Sequence, residues 1–276
     1  MRSIALAMLM LLGSVAPGVS GTPGGALPAQ VSSVFLRLPH TTSTDAQPLR
    51  VLVALHGVGG DGTAFASDLI AAADQHSWVL VAPTINYGNW MDPTQVAHED
   101  AALINWLSAY LEQLPMTTDQ PIDPEVLLLG FSRGAQLAHR FAEAYPEHVA
   151  AVAAVSAGAY TLPQTTAPDG TLLAFPFGVG DFQSTVGQVF QPSELRSVHF
   201  WVGVGNNDTN PADVPRQFDP YQGDDRLDRA QAFVAALDTL GIPVKLAVFP
   251  DVPHALTPAM QQAAIAFLAN QLAPTP

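Results

Sequence analysis

One stretch limits the fold of this chain more than any other: Glu125–Phe141, EVLLLGFSRGAQLAHRF. Val126-Leu127-Leu128-Leu129 is an unbroken apolar run, the pattern of a strand buried on both faces of a sheet. The chain then turns through Gly130-Phe131-Ser132-Arg133-Gly134 and resumes with Leu137, Ala138 and Phe141 at helical spacing. A buried strand that passes through a glycine-flanked turn straight into a helix is a unit of a parallel α/β sheet. At the apex of such a G-x-S-x-G turn a serine is held in strained backbone with its hydroxyl clear of the sheet, and the small neighbours let strand and helix approach closely. The helix N-terminus behind it favours developing negative charge.

The rest of the chain repeats that rhythm. Ser33–Leu38 alternates like an edge strand, and Arg50–Leu55, Trp78–Pro83, Val149–Ser156, Val198–Gly205 and Pro243–Phe249 read as further strands. Helical patterns lie between or after them at Thr63–Ala73, His98–Leu114, Arg226–Leu240 and Pro258–Leu272. No linker interrupts these segments, so residues 27–276 read as a single α/β domain with a mostly parallel, doubly wound sheet flanked by helices. Residues 160–197 follow neither period, yet they carry Phe175, Phe177, Phe182 and Phe190 and are too apolar for a free linker. They read as a small cap over a site, or as a loop insertion sealing the edge of the core.

Composition narrows the partners. With 48% hydrophobic and 12% charged residues the chain can build a large core, and a formal charge of −14 argues against nucleic acid, anionic membrane or polyanionic substrate. The absence of cysteine excludes disulfides, thiolate metal sites, a cysteine nucleophile and lipid attachment at an N-terminal cysteine. Met1-Arg2-Ser3, the apolar run Ile4–Leu12 and the small residues Gly13, Ser14, Ala16, Gly18 and Ser20 have the layout of a signal peptide. Residues 1–26 are therefore expected to be removed, with cleavage between Ala16 and Ala26, from a secreted, periplasmic or extracellular protein without a stable membrane anchor.

Three polar residues stand just beyond three separate strands: Ser132, Asp208 and His254. The carboxyl ends of parallel strands collect on one edge of the sheet, so these side chains can meet. Serine as nucleophile, histidine as base and aspartate as the group that orients the imidazole form a triad for acyl transfer. Asp213 is the second candidate for the acid. His56-Gly57-Val58-Gly59-Gly60 follows the Arg50–Leu55 strand without the Lys-Ser/Thr of a phosphate loop, and reads as a backbone cradle for an oxyanion. The backbone N–H groups of Val58 and Arg133 are the expected donors, with His56 as an orienting residue. Gly57, Tyr87 and Trp90 join His56 as candidate substrate contacts; the aromatics and the Phe-bearing segment point to a neutral or aromatic acyl group. Glu99-Asp100 reads as a solvated first helical turn and the acidic run 219–228 as a solvated helix start, so neither metal nor cofactor is expected.

These motifs resemble the α/β-hydrolase superfamily: His56-Gly57 matches its oxyanion turn, Gly130–Gly134 its elbow, Asp208 the acid after the penultimate strand and His254 the base after the last. Within it the chain resembles secreted, minimally capped serine esterases of the polyhydroxybutyrate depolymerase-like and feruloyl esterase-like groups, which often carry disulfides that this chain lacks. The resemblance implies hydrolysis of a small-molecule or polymeric ester. The residues alone leave two other readings open, a peptidase or amidase on the same fold and a non-catalytic binding protein.

Overall fold

The computed structural model describes residues 27–39, 48–118 and 120–271, so the expected signal peptide lies outside the described residues. A seven-stranded sheet runs through it in the order β1-β3-β2-β4-β5-β6-β7. The strands are β1 (Val31–Arg37), β2 (Val51–Leu55), β3 (Val79–Ile85), β4 (Val126–Phe131), β5 (Val149–Val155), β6 (His199–Gly205) and β7 (Val244–Phe249). Only β1 runs antiparallel, along β3; every other pairing is parallel. This is the α/β-hydrolase architecture.

Alternation along the central strands explains the layers. Val53 and Leu55 of β2, Leu128 of β4 and Val152 of β5 face one core, while Leu52, Leu127, Leu129 and Ala153 face the other. The first core is covered by α3 (Pro93–Gln113), α4 (Arg133–Ala144) and α8 (Arg226–Thr239), the second by α1 (Gly62–Ser67), α2 (Ile70–His76) and α9 (Pro258–Asn270). Short helices α5 (Phe182–Val186), α6 (Pro192–Leu195) and α7 (Asp219–Gln222) lie in the connections. Burial on both faces is why these strands read as continuous apolar runs. The far edge differs: β7 exposes Lys245 and Val248, and Lys245 is the sole lysine of the sequence.

Two helices depart from the sequence reading. The expected Thr63–Ala73 helix is two helices, broken at Asp68-Leu69, although Ala66, Leu69 and Ala73 still point into one core. The long helix begins five residues before His98, because Asp92 accepts the Thr94 N–H at 2.9 Å and Pro93 occupies the first turn.

The segment 160–197 seals the core edge. Tyr160, Leu173, Phe175, Phe182 and Val186 are buried in the first core, Asn105 of α3 donates to the Val186 carbonyl at 3.0 Å, and Phe177 packs at a tilt against Phe218 with ring centroids 4.4 Å apart. Among the described residues no helix is long and apolar enough to cross a membrane.

Candidate active site

The elbow is built by close main-chain approach. Ser132 sits between β4 and α4 at φ 55° and ψ −116°, the mirror image of an ordinary extended conformation, with its N–H bonded to the Val155 carbonyl at 2.8 Å. A Cβ on Gly134 would run into the carbonyl oxygens of Leu55 and His56, and one on Gly57 would lie 3.1 Å from the Ser132 Cβ. The turn after β2 is thereby pressed against the elbow, which side chains at those two positions would hold apart.

The three expected polar residues come together at this edge. Ser132 Oγ lies 3.0 Å from His254 Nε2, and His254 Nδ1 lies 2.9 Å from Asp208 Oδ2. A carboxylate only accepts, so Nδ1 carries the proton and Nε2 presents a lone pair to the serine hydroxyl. The imidazole stacks on Phe131, with centroids 5.1 Å apart and planes 20° from parallel, while Asp208 is buried beneath it. The second aspartate candidate lines the same pocket, but its carboxylate bonds away from the imidazole: Asp213 accepts from Asn210 Nδ2 at 2.8 Å.

Sequence reasoning missed the partner of Asp208. Arg226, the buried first residue of α8, donates to Asp208 Oδ1 at 3.1 Å and to the Asp213 carbonyl at 2.7 Å. One carboxylate oxygen thus faces imidazole and the other guanidinium, which fixes the plane of the group. The available signal was a pair of arginines, Arg226 and Arg229, directly after Asp224-Asp225 in a chain with so few cations.

Arg133 begins α4, so its backbone N–H belongs to the first turn and has no acceptor within the helix. Val58 is half exposed at the mouth beside it. Behind this turn His56 is buried, donates from Nδ1 to the Gly57 carbonyl at 2.7 Å and accepts the Ile85 N–H on Nε2 at 2.9 Å. Burial lowers its pKa, which keeps the ring neutral and able to accept. Tyr87 packs edge-on against His56, with centroids 5.7 Å apart, and lies under the Arg133 guanidinium at 4.9 Å; burial pushes its phenol pKa up. Of the four candidate substrate contacts, Gly57 and Trp90 line the pocket, whereas His56 and Tyr87 support it from behind.

The Glu99-Asp100 pair is not a solvated first turn. Asp100 is fully buried, one turn further into α3 than the sequence reading placed it, and accepts from Arg133 at 2.6 and 3.0 Å and from Arg140 at 2.5 Å. Arg140 also donates to Thr161 Oγ1 at 2.9 Å, and Glu99 accepts the Gly88 N–H at 3.1 Å. Two arginines seven residues apart on a buried helix demand such a counter-ion.

The pocket over Ser132 holds about 350 Å³ and includes Gly57, Val58, Trp90, Phe131, Gln136 and Gly158 in its wall. No residue of the fully described segment 160–197 lines it, so the expected contribution of that segment's phenylalanines to a substrate wall is corrected: they pack into the core. The residues most able to gather a cation, Asp224, Asp225 and Asp228, lie at the start of α8, where Asp225 caps the helix by accepting the Asp228 N–H at 2.9 Å.

Comparison with known proteins follows the same outline. No curated protein sequence matches the chain. Among solved structures, poly(aspartic acid) hydrolase-1 from Sphingomonas sp. KT-1 superposes with a TM-score of 0.66 at 21% identity over 85% of this chain and 92% of that one. LpqC, a poly(3-hydroxybutyrate) depolymerase from Bordetella parapertussis, gives 0.62 at 24% identity over 88% and 85%. A phospholipase/carboxylesterase from Dyadobacter fermentans DSM 18053 gives 0.55 at 17% identity over 88% and 99%. At these identities the likeness is one of fold. The family model described as phospholipase/carboxylesterase matches residues 37–177, just over half of the sequence. The chain belongs to the phospholipase/carboxylesterase family of α/β-hydrolases.

Proposed function

We propose that this protein is a serine carboxylesterase in which Ser132, His254 and Asp208 form the catalytic triad. The observation that carries the reading is the unbroken relay from Ser132 Oγ through His254 to Asp208, with contacts of 3.0 and 2.9 Å. His254 Nε2 takes the hydroxyl proton as Ser132 Oγ attacks the ester carbonyl carbon, and the carbonyl oxygen becomes an alkoxide. The N–H groups of Val58 and Arg133 receive that charge; one such donor is worth about 3 kcal/mol in the transition state. The tetrahedral species collapses, His254 gives its proton to the departing alcohol, and an acyl-Ser132 ester remains. Water then repeats the two steps and releases the acid.

The protein's own groups supply the nucleophile, the base and the charge stabilisation for this sequence. Labelling by a fluorophosphonate, lost in Ser132→Ala, tests the nucleophile. Faster turnover of p-nitrophenyl acetate than of a peptide anilide tests ester over amide. Failure of both the probe and the acetate would favour a binding protein. The reading includes a leader over residues 1–26 and a single domain over 27–276, acting outside the cytoplasm. N-terminal sequencing of protein expressed with residues 1–26 attached should find the first residue between Pro17 and Leu27.

A further inference from the structure

The wall of the pocket holds two N–H groups that the triad does not use. Arg226 spends Nη1 on Asp208 and Nη2 on the Asp213 carbonyl, while its Nε is buried without a partner among the described residues. Gln136, one turn after Ser132 on α4, is also buried. Its Oε1 accepts from Arg140 Nη1 at 3.3 Å, and since a guanidinium only donates, the amide orientation follows: Nε2 points the other way. Both groups converge on Gly158. A Cβ built there would lie 3.2 Å from Gln136 Nε2 and 3.9 Å from Arg226 Nε, so the missing side chain leaves a notch lined by donors. Gly158, Gln136 and Arg226 all line the pocket that holds Ser132.

A buried donor without a partner favours a ligand that brings an acceptor and disfavours an alkyl chain in the same place. The charge of Arg226 is already matched by Asp208, so the acceptor called for is a neutral oxygen. Resting on the esterase reading above, we infer that the notch at Gly158 selects esters carrying a second, uncharged oxygen acceptor, such as a ketone or a further ester carbonyl, over plain alkyl esters. Gln136 Nε2 makes the direct bond and Arg226 Nε–H supports it.

Two shape-matched pairs test the inference on the purified protein. On the acyl side, p-nitrophenyl 4-oxopentanoate is compared with p-nitrophenyl 4-methylpentanoate; on the alcohol side, 2-oxopropyl butyrate with isobutyl butyrate. Each rate is divided by that of spontaneous alkaline hydrolysis. The keto member should show a kcat/KM about five- to tenfold higher in at least one pair, the difference expected for one hydrogen bond. In Gly158→Ala the new methyl crowds the Gln136 amide, and the ratio should fall to near one. Gln136→Glu, which turns the donor into an acceptor, should lower it as well. Ratios near one in both pairs for the unaltered protein overturn the inference, as does a ratio that Gly158→Ala leaves in place. Failure to hydrolyse any of the four esters would instead count against the esterase reading itself.

Discussion

Arg133 is bound twice to Asp100, with Nη2 at 2.6 Å and Nη1 at 3.0 Å, so the residue directly after Ser132 is anchored to the middle of α3. The same carboxylate holds Arg140, and all three side chains are buried. Burial lowers the pKa of Arg140 and opposes the charge of Arg133, while Asp100 favours the charged form of both. Asp100→Asn leaves Arg140 without its paired anion and Arg133 with only the more distant Glu99, at 3.8 Å. The expected loss in stability is about 3–5 kcal/mol by urea denaturation. A loss under about 1 kcal/mol would show that the network is not electrostatically coupled.

Ser132 carries both strain and proposed chemistry, and two variants separate them. Ser132→Ala keeps a Cβ at the same positive φ, so turnover should fall about 10⁴-fold or more while thermal unfolding stays nearly unchanged. Ser132→Gly should also be inactive, yet more stable than the alanine variant by about 1 kcal/mol, because glycine adopts this conformation freely. Calorimetry on the pair reads the difference, and equal stabilities would remove the strain argument.

The contact between the elbow and the end of β2 makes Gly134 sensitive to a single methyl group. The Cβ of Gly134→Ala has only the Leu55 and His56 carbonyl oxygens to move against. Stability should fall by about 1–3 kcal/mol, and a displacement of Ser132 near 1 Å would lower kcat by about 100-fold. Denaturation and ester hydrolysis on the same preparation check both, and wild-type values for the two would refute the close approach.

Glu143 on α4 predicts a pH dependence. It is fully buried, neither carboxyl oxygen has a hydrogen-bond partner among the described residues, and burial raises its pKa well above the usual carboxylate range. Above that range the unfolded chain releases the proton while the folded chain keeps it. The native state then binds more protons than the unfolded state, and stability falls as pH rises towards the folded pKa. Glu143→Gln removes this slope. The variant should gain on the wild type by up to about 1.4 kcal/mol per pH unit until the folded pKa is reached, read from urea denaturation in steps upward from pH 5. A constant difference would mean that Glu143 is ionised in the fold.

The framework was legible because its signals are local. Val51–Leu55 and Val126–Leu129 are buried on both sides, so their apolar runs announce a parallel sheet, and the positions of Ser132, Asp208 and His254 after strand ends put them on one edge. The ion network was not legible, because Asp100, Arg133 and Arg140 meet only through the packing of α3 on α4. Arg226 lay hidden among acidic residues for the same reason. The segment 160–197 gave no period to read since its backbone is irregular apart from the short α5 and α6, and its phenylalanines signalled burial without saying where. Tyr87 and Trp90 share one loop and differ in role, which side-chain direction alone decides.

The edge position of Lys245 has a practical side. It is exposed at the start of β7, whereas the chain leaves the other end of that strand towards His254. Apart from an amino terminus, it is the sole primary amine available for coupling. Attachment through Lys245 would therefore grip the molecule by the rim of its sheet, with the start of β7 towards the support.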